Sequence, residues 1–544
     1  GIMATVMPHG VLFRGGAEKD IRKGLIEDDL VEAVIGLPPN LFYGTGIPAC
    51  IVVCRAKGAK PIDRRGKILF INTDAEYYSG RAQNYLKPEH VEKIVSAFDA
   101  FEDIPGYATV VPKGDLKGND WNLNIRRYAD NSPPPEPHDV RAHIVGGVPK
   151  AEVEAKKALL LAHGLSPRVI FVDRDAKYYD FAEKLTDRSQ IKLVVESDPG
   201  VQAKEGEIRQ CMATWWQRYK DLLVRLPGNN NVMTVRAEFL DSFIQAIEPL
   251  GLLDRFKCAG VMATWWSDTL YDLKTLVAQG FDGLLDGWIN TRAAAMTDES
   301  GRRNISFDPA EDRLLQRLLP DYLKELEEAQ QAVAELEQEK EAFELGEDAD
   351  DFDVEEDEEN ERPSYVTYLK DQIRDLKKSV KDDKSRIKTL EGSPSKQGSI
   401  KYNEKKGLPV TDLKSQLAEL KARIDPVETS IQALEQAVKP YMELTIKAGE
   451  AKQHLNVLYD ELVKRMKDAR NVLSAEKCQV FVLEMVYEDL GDQLERYVAA
   501  HRQNLMKALE NLSQKYGVTL LDVQSQQENA ALELAKILKE LHYA

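Results

Sequence analysis

Two short apolar runs and the loop between them make up VEAVIGLPPNLFYGTGIPACIVVC, residues 31–54. Residues 31–37 and 49–54 are apolar at most positions, a pattern typical of strands that are covered on both faces of a sheet. Pro38 and Pro39 end the first run, because proline fixes φ and has no amide hydrogen to donate. The stretch therefore predicts two strands of one covered sheet, joined by a loop.

The same alternation continues on both sides of this stretch. Apolar runs predict two further strands, and helical spacing predicts two amphipathic helices; these lie at 2–7, 67–72, 17–28 and 88–101. The pattern stops at NSPPPEP (131–137), where successive prolines cannot continue regular structure. We therefore predict an α/β domain over residues 1–130, followed by a proline-rich linker over residues 131–150.

Residues 151–308 are predicted to form a mainly helical middle domain. Two segments within it are nearly alike, CMATWW from Cys211 and VMATWW from Val261, which is weak evidence for a repeat. Their paired tryptophans are of a type that can stack on bases. Packing helices together inside a core is the commoner use of tryptophan, so we expect these four side chains to be buried.

Apolar residues spaced alternately by three and four positions predict coiled-coil packing in the rest of the chain. We predict a coiled-coil helix over 309–340 and a helical, coiled-coil C-terminal region over 411–544. The seams at 322–336 and 413–438 are expected to form an antiparallel hairpin, with Pro426 kinking or splitting the second seam. The acidic and polar segment between them, 341–410, has little apolar area to bury and is expected to be mobile.

Composition excludes few classes of function. The net charge is −18, but thirteen acidic residues and no basic residue lie between Glu341 and Glu361, so the rest of the chain is only weakly acidic. Acidity therefore does not exclude a nucleic-acid partner. The sequence contains no run of 18 apolar residues, and we expect no membrane span. Five cysteines without metal or disulfide spacing favour a reducing cytoplasm and no metal site.

Few residues stand in patterns that carry chemistry. The sequence lacks a phosphate-binding loop, a zinc-protease helix and a nucleophile elbow. His9 follows a predicted strand, where a functional histidine and a solvent-exposed or capping one are both compatible with the residues. Phe42 and Tyr43 lie between Pro-Pro and Gly-x-Gly, so they can stack on a flat ligand or simply cap the sheet edge. The residues alone leave both alternatives open.

A family resemblance extends this interpretation. GIMATVMPHGVLFRGG (1–16) and IRKGLIEDDLVEAVIGLPPNLFYGTGIPACIVVCR (21–55) closely resemble the later half of the catalytic domain of type I restriction-modification modification subunits. ILFINTDAEYYSGRAQNYLKPEHVEKIV (68–95) and NDWNLNIRRY (119–128) continue the resemblance. It implies the C-terminal half of a Rossmann-like methyltransferase sheet, followed by a large, mainly helical region with antiparallel coiled-coil helices. The implied activity is adenine-N6 methylation of DNA.

The resemblance also implies site residues. In related adenine methylases, the loop that matches NLFYGTG (40–46) helps hold the target base after it is flipped out of the duplex. Phe42 stands where the family places the aromatic side chain that contacts the flipped adenine, with Tyr43 beside it. Pro8 and His9 lie in the segment that follows the catalytic strand, near the base pocket.

Two motifs of the family are absent from this sequence. One is the F-x-G-x-G turn that cradles S-adenosylmethionine, and the other is the Asn-Pro-Pro-Phe/Tyr motif that orients the adenine amino group. Both lie upstream of the matching region in the family, and Gly1 opens as though within a strand, which we interpret as a chain cut from something longer. We therefore expect no complete catalytic site, a cofactor site mostly upstream, and no methyl transfer by this stretch alone.

The partners implied by the resemblance are DNA, a specificity subunit, a second modification subunit and a restriction subunit. The implied setting is the cytoplasm of a prokaryote, and the partner that reads the DNA sequence is the specificity subunit. A second hypothesis belongs to another class of protein. The long seams, the acidic block and the missing motifs also suit a non-catalytic helical scaffold or interaction protein with a relic methyltransferase half-domain.

Overall fold

The computed structural model describes residues 1–132, 137–183, 185, 188–229, 231–296, 304, 306–345 and 364–541. The chain divides into two compact units. The first unit comprises Gly1–Leu285 together with Ala475–Ala544, and the second comprises Asp286–Ser474.

The first unit contains a five-stranded sheet and two small sheets. The strands are β1 (Ile2–Pro8), β2 (Val31–Gly36), β3 (Ala49–Arg55), β4 (Lys67–Asn72), β5 (Tyr78–Ser79), β6 (Asn84–Tyr85), β7 (Ala108–Pro112), β8 (Val148–Pro149), β9 (Phe171–Asp173) and β10 (Tyr178–Phe181). The large sheet has the order β1-β3-β2-β4-β7, in which β2 and β4 are parallel and the other neighbours are antiparallel. The small sheets are β8-β10-β9 and β5-β6.

Eleven helices precede the second unit's own helices within the described residues. They are α1 (Ala17–Glu27), α2 (Pro88–Ala100), α3 (Lys113–Gly118), α4 (Val140–Val145), α5 (Lys150–Ala162), α6 (Pro167–Ile170), α7 (Gln190–Glu196), α8 (Pro199–Tyr219), α9 (Asp221–Val224), α10 (Val232–Ile247) and α11 (Arg255–Ala295). The last runs from the first unit into the second and contains a non-helical residue at Gly280.

The remaining helices complete both units. The second unit contains α12 (Arg313–Leu318), α13 (Pro320–Leu345), α14 (Tyr365–Ser379), α15 (Lys381–Leu390), α16 (Ile400–Lys406) and α17 (Thr411–Val472). The chain then returns to the first unit with α18 (Ala475–Tyr516) and α19 (Leu520–Glu540). An α/β region followed by a large helical region is the architecture that the sequence predicts.

The central strands of the large sheet are covered on both faces, as their apolar runs predict, whereas the edge strand β1 is mostly exposed. On one face Val34 and Phe70 pack in a cluster with Ile26 of α1. On the other face, side chains of β2 and β4 pack against Ile94 and Ala97 of α2. The four predicted strands and the two predicted helices are confirmed, whereas β7 and its pairing with β4 were not predicted.

The paired tryptophans are buried among the helices of the first unit, as expected. All four are at most 5 % exposed, and they pack with Phe239 and with one another. The indole N–H of Trp215 donates to Ser242, and that of Trp265 donates to the carbonyl of Val486 in α18. They therefore hold helices together and are not open to stack on bases.

The sequence predicts that the middle helices and the C-terminal region are separate, but in the structure they pack together. Leu505, Leu509 and Leu512 of α18 share one buried cluster with side chains of residues 142–201, such as Leu160 and Val195. Burying these apolar side chains against the middle helices places α18 in the first unit. Residues 411–544 therefore do not form one region.

The prediction that the seams at 322–336 and 413–438 form an antiparallel hairpin was wrong. In the second unit, α13 lies antiparallel to the later half of α17. Two hydrogen bonds show this orientation, one between Tyr322 and Leu458 and the other between Glu344 and Tyr441. The earlier half of α17 packs instead against α14 and α15, through a cluster that includes Val380, Ile424 and Ile431. A helix of 62 residues is long enough to bind two partners in succession. It also continues through Pro426 without splitting into two helices.

The prediction that residues 341–410 are mobile does not agree with the structure, because the described part of this segment contains helices. Residues 341–345 end α13, and α14, α15 and α16 follow Ser364. Val366, Leu369 and Ile400 are buried, so this polar stretch holds enough apolar side chains to pack. Most of the acidic block falls on 346–363, which lies outside the described residues. Within the described part of the chain, no helix is long and apolar enough to cross a membrane.

Candidate functional site

Three strands of the large sheet end at the same edge. Strands β1 and β2 are both antiparallel to β3, and β2 is parallel to β4, so β1, β2 and β4 run in one direction. Their ends bring together Pro8 and His9, the loop that begins at Leu37, and the turn Asn72–Asp74. In open α/β sheets, ligands bind outside the carboxyl ends of the parallel strands. This edge is therefore the candidate site.

The loop between β2 and β3 presents aromatic side chains to the outside. It begins where the Leu37 amide donates to the Ala49 carbonyl at 2.8 Å, and a bridge between Phe42 and Thr45 closes its tip. The tip requires Gly44 at φ +76°, a conformation that glycine adopts without a Cβ clash. Phe42 is 41 % exposed and Tyr43 is 87 % exposed. Both rings are therefore accessible to a flat ligand.

His9 lies beneath this loop with a fixed hydrogen bond. Its Nε2 lies 2.9 Å from the Ala49 carbonyl oxygen, which only accepts, so Nε2 carries the proton and Nδ1 is left as an acceptor. Burial lowers the pKa of His9, although the bond to Ala49 and the carboxylate of Asp74 oppose this shift. The imidazole is therefore neutral near pH 7. Pro8, just before it, is exposed.

The structure adds residues that sequence reasoning missed. The carboxylate of Asp74 accepts hydrogen bonds from Arg126, at 2.6 Å, and from Asn131. Beside it, the Asn72 amide donates to the Ala129 carbonyl at 2.9 Å. The available signal was the position of Asn72 and Asp74 directly after a buried strand, where side chains reach the sheet edge.

The apolar cavity beside β1 does not suit S-adenosylmethionine. A cavity of about 570 Å³ lies beside β1 and α1, but its lining is apolar except for a few groups such as Glu18 and Arg22. The Arg22 guanidinium already donates to the carbonyls of Val11 and Trp121. The amino, carboxylate and ribose groups of the cofactor would therefore find too few polar partners there.

The cysteines and the acidic side chains were compared with the groupings that hold a metal ion. The five cysteines are free thiols, and burial raises the pKa of Cys50 to about 11. A thiol with such a pKa stays protonated near neutral pH and is a poor ligand or nucleophile. No group of three or more His, Cys, Asp or Glu side chains arranged to hold a metal ion occurs in this part of the chain.

Comparison with known proteins shows what the part of the chain that carries the candidate site is similar to. Residues 1–136 match the N-6 DNA Methylase family. The chain is 44% identical over 138 residues to the methylase subunit of the type I restriction enzyme MjaVIII of Methanocaldococcus jannaschii, covering 25% of this chain and 23% of that protein. It is 32% identical over 141 residues to the MpnII methylase subunit of Mycoplasma pneumoniae, covering 26% and 25%.

One solved structure is also similar to part of this chain. The crystal structure of a type I restriction-modification methyltransferase subunit from Streptococcus thermophilus is 41% identical, covers 24% of this chain and 27% of that chain, and has a TM-score of 0.23. The chain spans about a quarter of the length of the curated relatives it matches. The resemblance to type I modification subunits is confirmed, and it rests on residues 1–136.

Proposed function

We propose, from the match of residues 1–136 to the N-6 DNA Methylase family, that this chain acts within the modification subunit of a type I restriction-modification system. The reaction is transfer of a methyl group from S-adenosylmethionine to adenine N6 in DNA. The observation that carries the proposal is the exposed aromatic loop at the ligand-binding edge of a sheet with this family's sequence.

The loop suits a flipped adenine. The N6 atom is otherwise buried in the base stack, so the base must leave the duplex before it can react. Residues 37–48 carry no charged side chain, which matches a neutral purine, and the Phe42 ring offers a face on which the purine stacks. Tyr43 flanks the base, and Pro8 with neutral His9 borders the pocket beneath it.

Other components complete the proposed enzyme. S-adenosylmethionine supplies the methyl group, and most of its site lies in the cofactor motif that precedes the matching region in the family. A specificity subunit selects the DNA sequence, and a second modification subunit and a restriction subunit complete the assembly. The assembly works in the prokaryotic cytoplasm.

The test is methylation by the native complex. The complex that contains this chain is affinity-purified from its host and incubated with host-type unmethylated DNA and S-adenosylmethionine labelled in the methyl group. The DNA is then digested to nucleosides, and we expect labelled N6-methyldeoxyadenosine by mass spectrometry. A complex that binds DNA but leaves every adenine unlabelled would overturn the proposal and favour the scaffold alternative. The 544-residue chain alone is expected to give no label.

A further inference from the structure

A short hairpin next to the candidate site has an unusual composition. Residues 77–87, YYSGRAQNYLK, include three tyrosines and two basic residues but no acidic residue, in a chain whose net charge is −18. They form β5 and β6 with the turn between them. Tyr78 and Tyr85 are paired across the hairpin and are 52 % and 45 % exposed, and Tyr77 is also exposed.

The hairpin is bonded directly to the loop that carries Phe42. The backbone amide of Asn84 donates to the Asn40 carbonyl at 2.8 Å, and its side-chain amide donates to the Pro39 carbonyl at 2.8 Å. Asn84 is buried, so these bonds are protected from water. At the turn, a Cβ on Gly80 would overlap the Tyr85 ring, so the two strands approach closely. The hairpin and the aromatic loop therefore form one continuous surface.

The charges on this surface are positive. Arg81 is exposed and has neither an ion pair nor a hydrogen bond among the residues that the structure describes. The Lys87 ammonium lies 3.9 Å above the centre of the Tyr78 ring. Of the nearby carboxylates, Glu76 pairs with Lys93 and Glu89 pairs with Arg496, and Glu89 also accepts a hydrogen bond from the Thr264 hydroxyl.

We propose that this hairpin binds the DNA strand that carries the target adenine, beside the flipped base. Arg81 and Lys87 contact phosphates of that strand. Tyr78 and Tyr85 stack on the nucleotides next to the position that the flipped base has left. Exposed aromatic rings interleaved with cations are the usual surface for an unpaired nucleic-acid strand, since every base has a face on which to stack. The proposal rests on the proposed function, which puts the flipped base on the adjoining loop.

Binding to single-stranded DNA tests the proposal on the full chain. The probe is a fluorescein-labelled thymidine 20-mer, and its affinity is measured by fluorescence anisotropy over a range of salt concentrations. Arg81→Gln should reduce the slope of log K against log salt concentration by about 0.7, the value for one lost phosphate contact. Tyr85→Leu should weaken binding about 5- to 100-fold. Arg225→Gln, at an exposed arginine in the helical part, is the matched control and should change neither quantity.

Photocrosslinking locates the contact independently. A probe that contains 5-iododeoxyuridine is irradiated with the full chain, and the crosslinked peptide is identified by mass spectrometry. We expect crosslinks at Tyr78 or Tyr85. Crosslinks confined to other segments, together with an unchanged salt slope for Arg81→Gln, would overturn the proposal. Methylation by the native complex is measured separately: a complex that methylates adenine normally with both hairpin variants refutes this inference and leaves the proposed function standing.

Discussion

The imidazole rings of His163 and His501 meet through their Nδ1 atoms at 2.9 Å, although 338 positions separate them in the chain. His163 follows α5, and His501 lies in α18. On its other side, His163 places Nε2 3.0 Å from the carboxylate of Glu205 in α8. Arg502 and Arg209 bond to the same carboxylate at 2.6 and 3.0 Å. Three helical segments of the first unit are thus joined by one buried polar network.

The network fixes where the protons lie. The Glu205 carboxylate accepts a hydrogen bond from the Nε2–H group of His163, so the Nδ1 atom of a neutral His163 carries no proton. His501 must then donate its own Nδ1 proton to His163. One further proton on His163 would place two N–H groups against each other. The hydrogen bond between the rings therefore breaks when His163 takes up a proton, whereas a second proton on His501 goes to Nε2 and places a charge on a buried side chain.

Acidification should destabilise the first unit through this pair. The pKa of His501 is lowered from 6.5 to about 4, mainly by burial and also by His163 and Lys257, against the opposing effect of Asp254. Burial also lowers the pKa of His163 against the opposing effect of Glu205. The unfolded chain therefore takes up protons first as the pH falls. The contribution of neutral His501 to the free energy of unfolding is complete above pH 6.5 and is lost as the pH falls towards 4. This contribution is about 3 kcal/mol at most.

The matched variant is His501→Asn. Its amide nitrogen occupies nearly the place of Nδ1 and donates the same hydrogen bond, but it does not titrate. Urea unfolding followed by tryptophan fluorescence at pH 7.5, 6.0 and 5.0 should show a smaller loss of unfolding free energy for the variant than for the wild type. Equal losses in the two proteins would mean that His501 does not control the pH dependence.

Two neighbouring tryptophans should respond differently to the same substitution. The indole N–H of Trp265 donates to the Val486 carbonyl at 3.0 Å, whereas that of Trp266 is buried without a partner. Both lose similar volume on replacement by phenylalanine, but only Trp265→Phe loses a hydrogen bond. We expect Trp265→Phe to lower the free energy of unfolding by about 1 kcal/mol more than Trp266→Phe. Equal destabilisation in urea unfolding would refute this assignment.

The α/β part was predictable because its signals are local. The apolar runs give β1, β2, β3 and β4, and Pro88 correctly marks the start of α2. Strand β7 was missed because ATVVP (108–112) is short, and its pairing with β4 depends on a distant contact. The site loop was found through its aromatic and glycine residues, whereas Asp74 and Arg126 come together only in the folded chain.

The helical part shows the limit of periodicity. A seam predicts that a helix has a partner but does not say which one, because many apolar stripes in one chain are compatible. The seam at 413–438 packs against α14 and α15, and α18 packs against the middle helices. The pairing of His163 with His501 had no sequence signal, since both are isolated histidines on helical segments.

Phe42→Ala should impair methylation in the proposed complex without impairing assembly. One lost stacking contact with a base costs about 1–3 kcal/mol, which corresponds to about one to two decades in rate if it is expressed in the flipped state. The measurement is single-turnover methyl transfer by the native complex. Ile47→Ala removes an exposed apolar side chain from the same loop and is the control, with a rate close to wild type. An unchanged rate for Phe42→Ala would leave Phe42 with a structural role.

The C-terminal helix α19 has an apolar seam and no buried residue. The seam consists of Leu520, Val523, Ala530, Leu534 and Ile537, which follow spacings of three and four except that Gln527 interrupts the apolar series between Val523 and Ala530. The preceding helix α18 is different, because Leu505, Leu509, Leu512 and Tyr516 near its end belong to a buried cluster of the first unit. We propose that the final helices, around residues 480–540, contribute to the junction with the specificity subunit, and that α19 provides the contact because its apolar side chains are exposed.

Leu534→Asp should therefore prevent co-purification with the proposed specificity subunit while leaving the first unit folded. A charge on the seam would have to be desolvated at a helix–helix contact, whereas in the free chain it stays in water. Leu532→Asp is the matched control, because Leu532 is also exposed but lies about 200° around the helix from Leu534. Pull-down of the complex reports assembly, and thermal unfolding of the free chain should be the same for both variants. If Leu534→Asp assembles as well as Leu532→Asp, then the seam of α19 is not the junction.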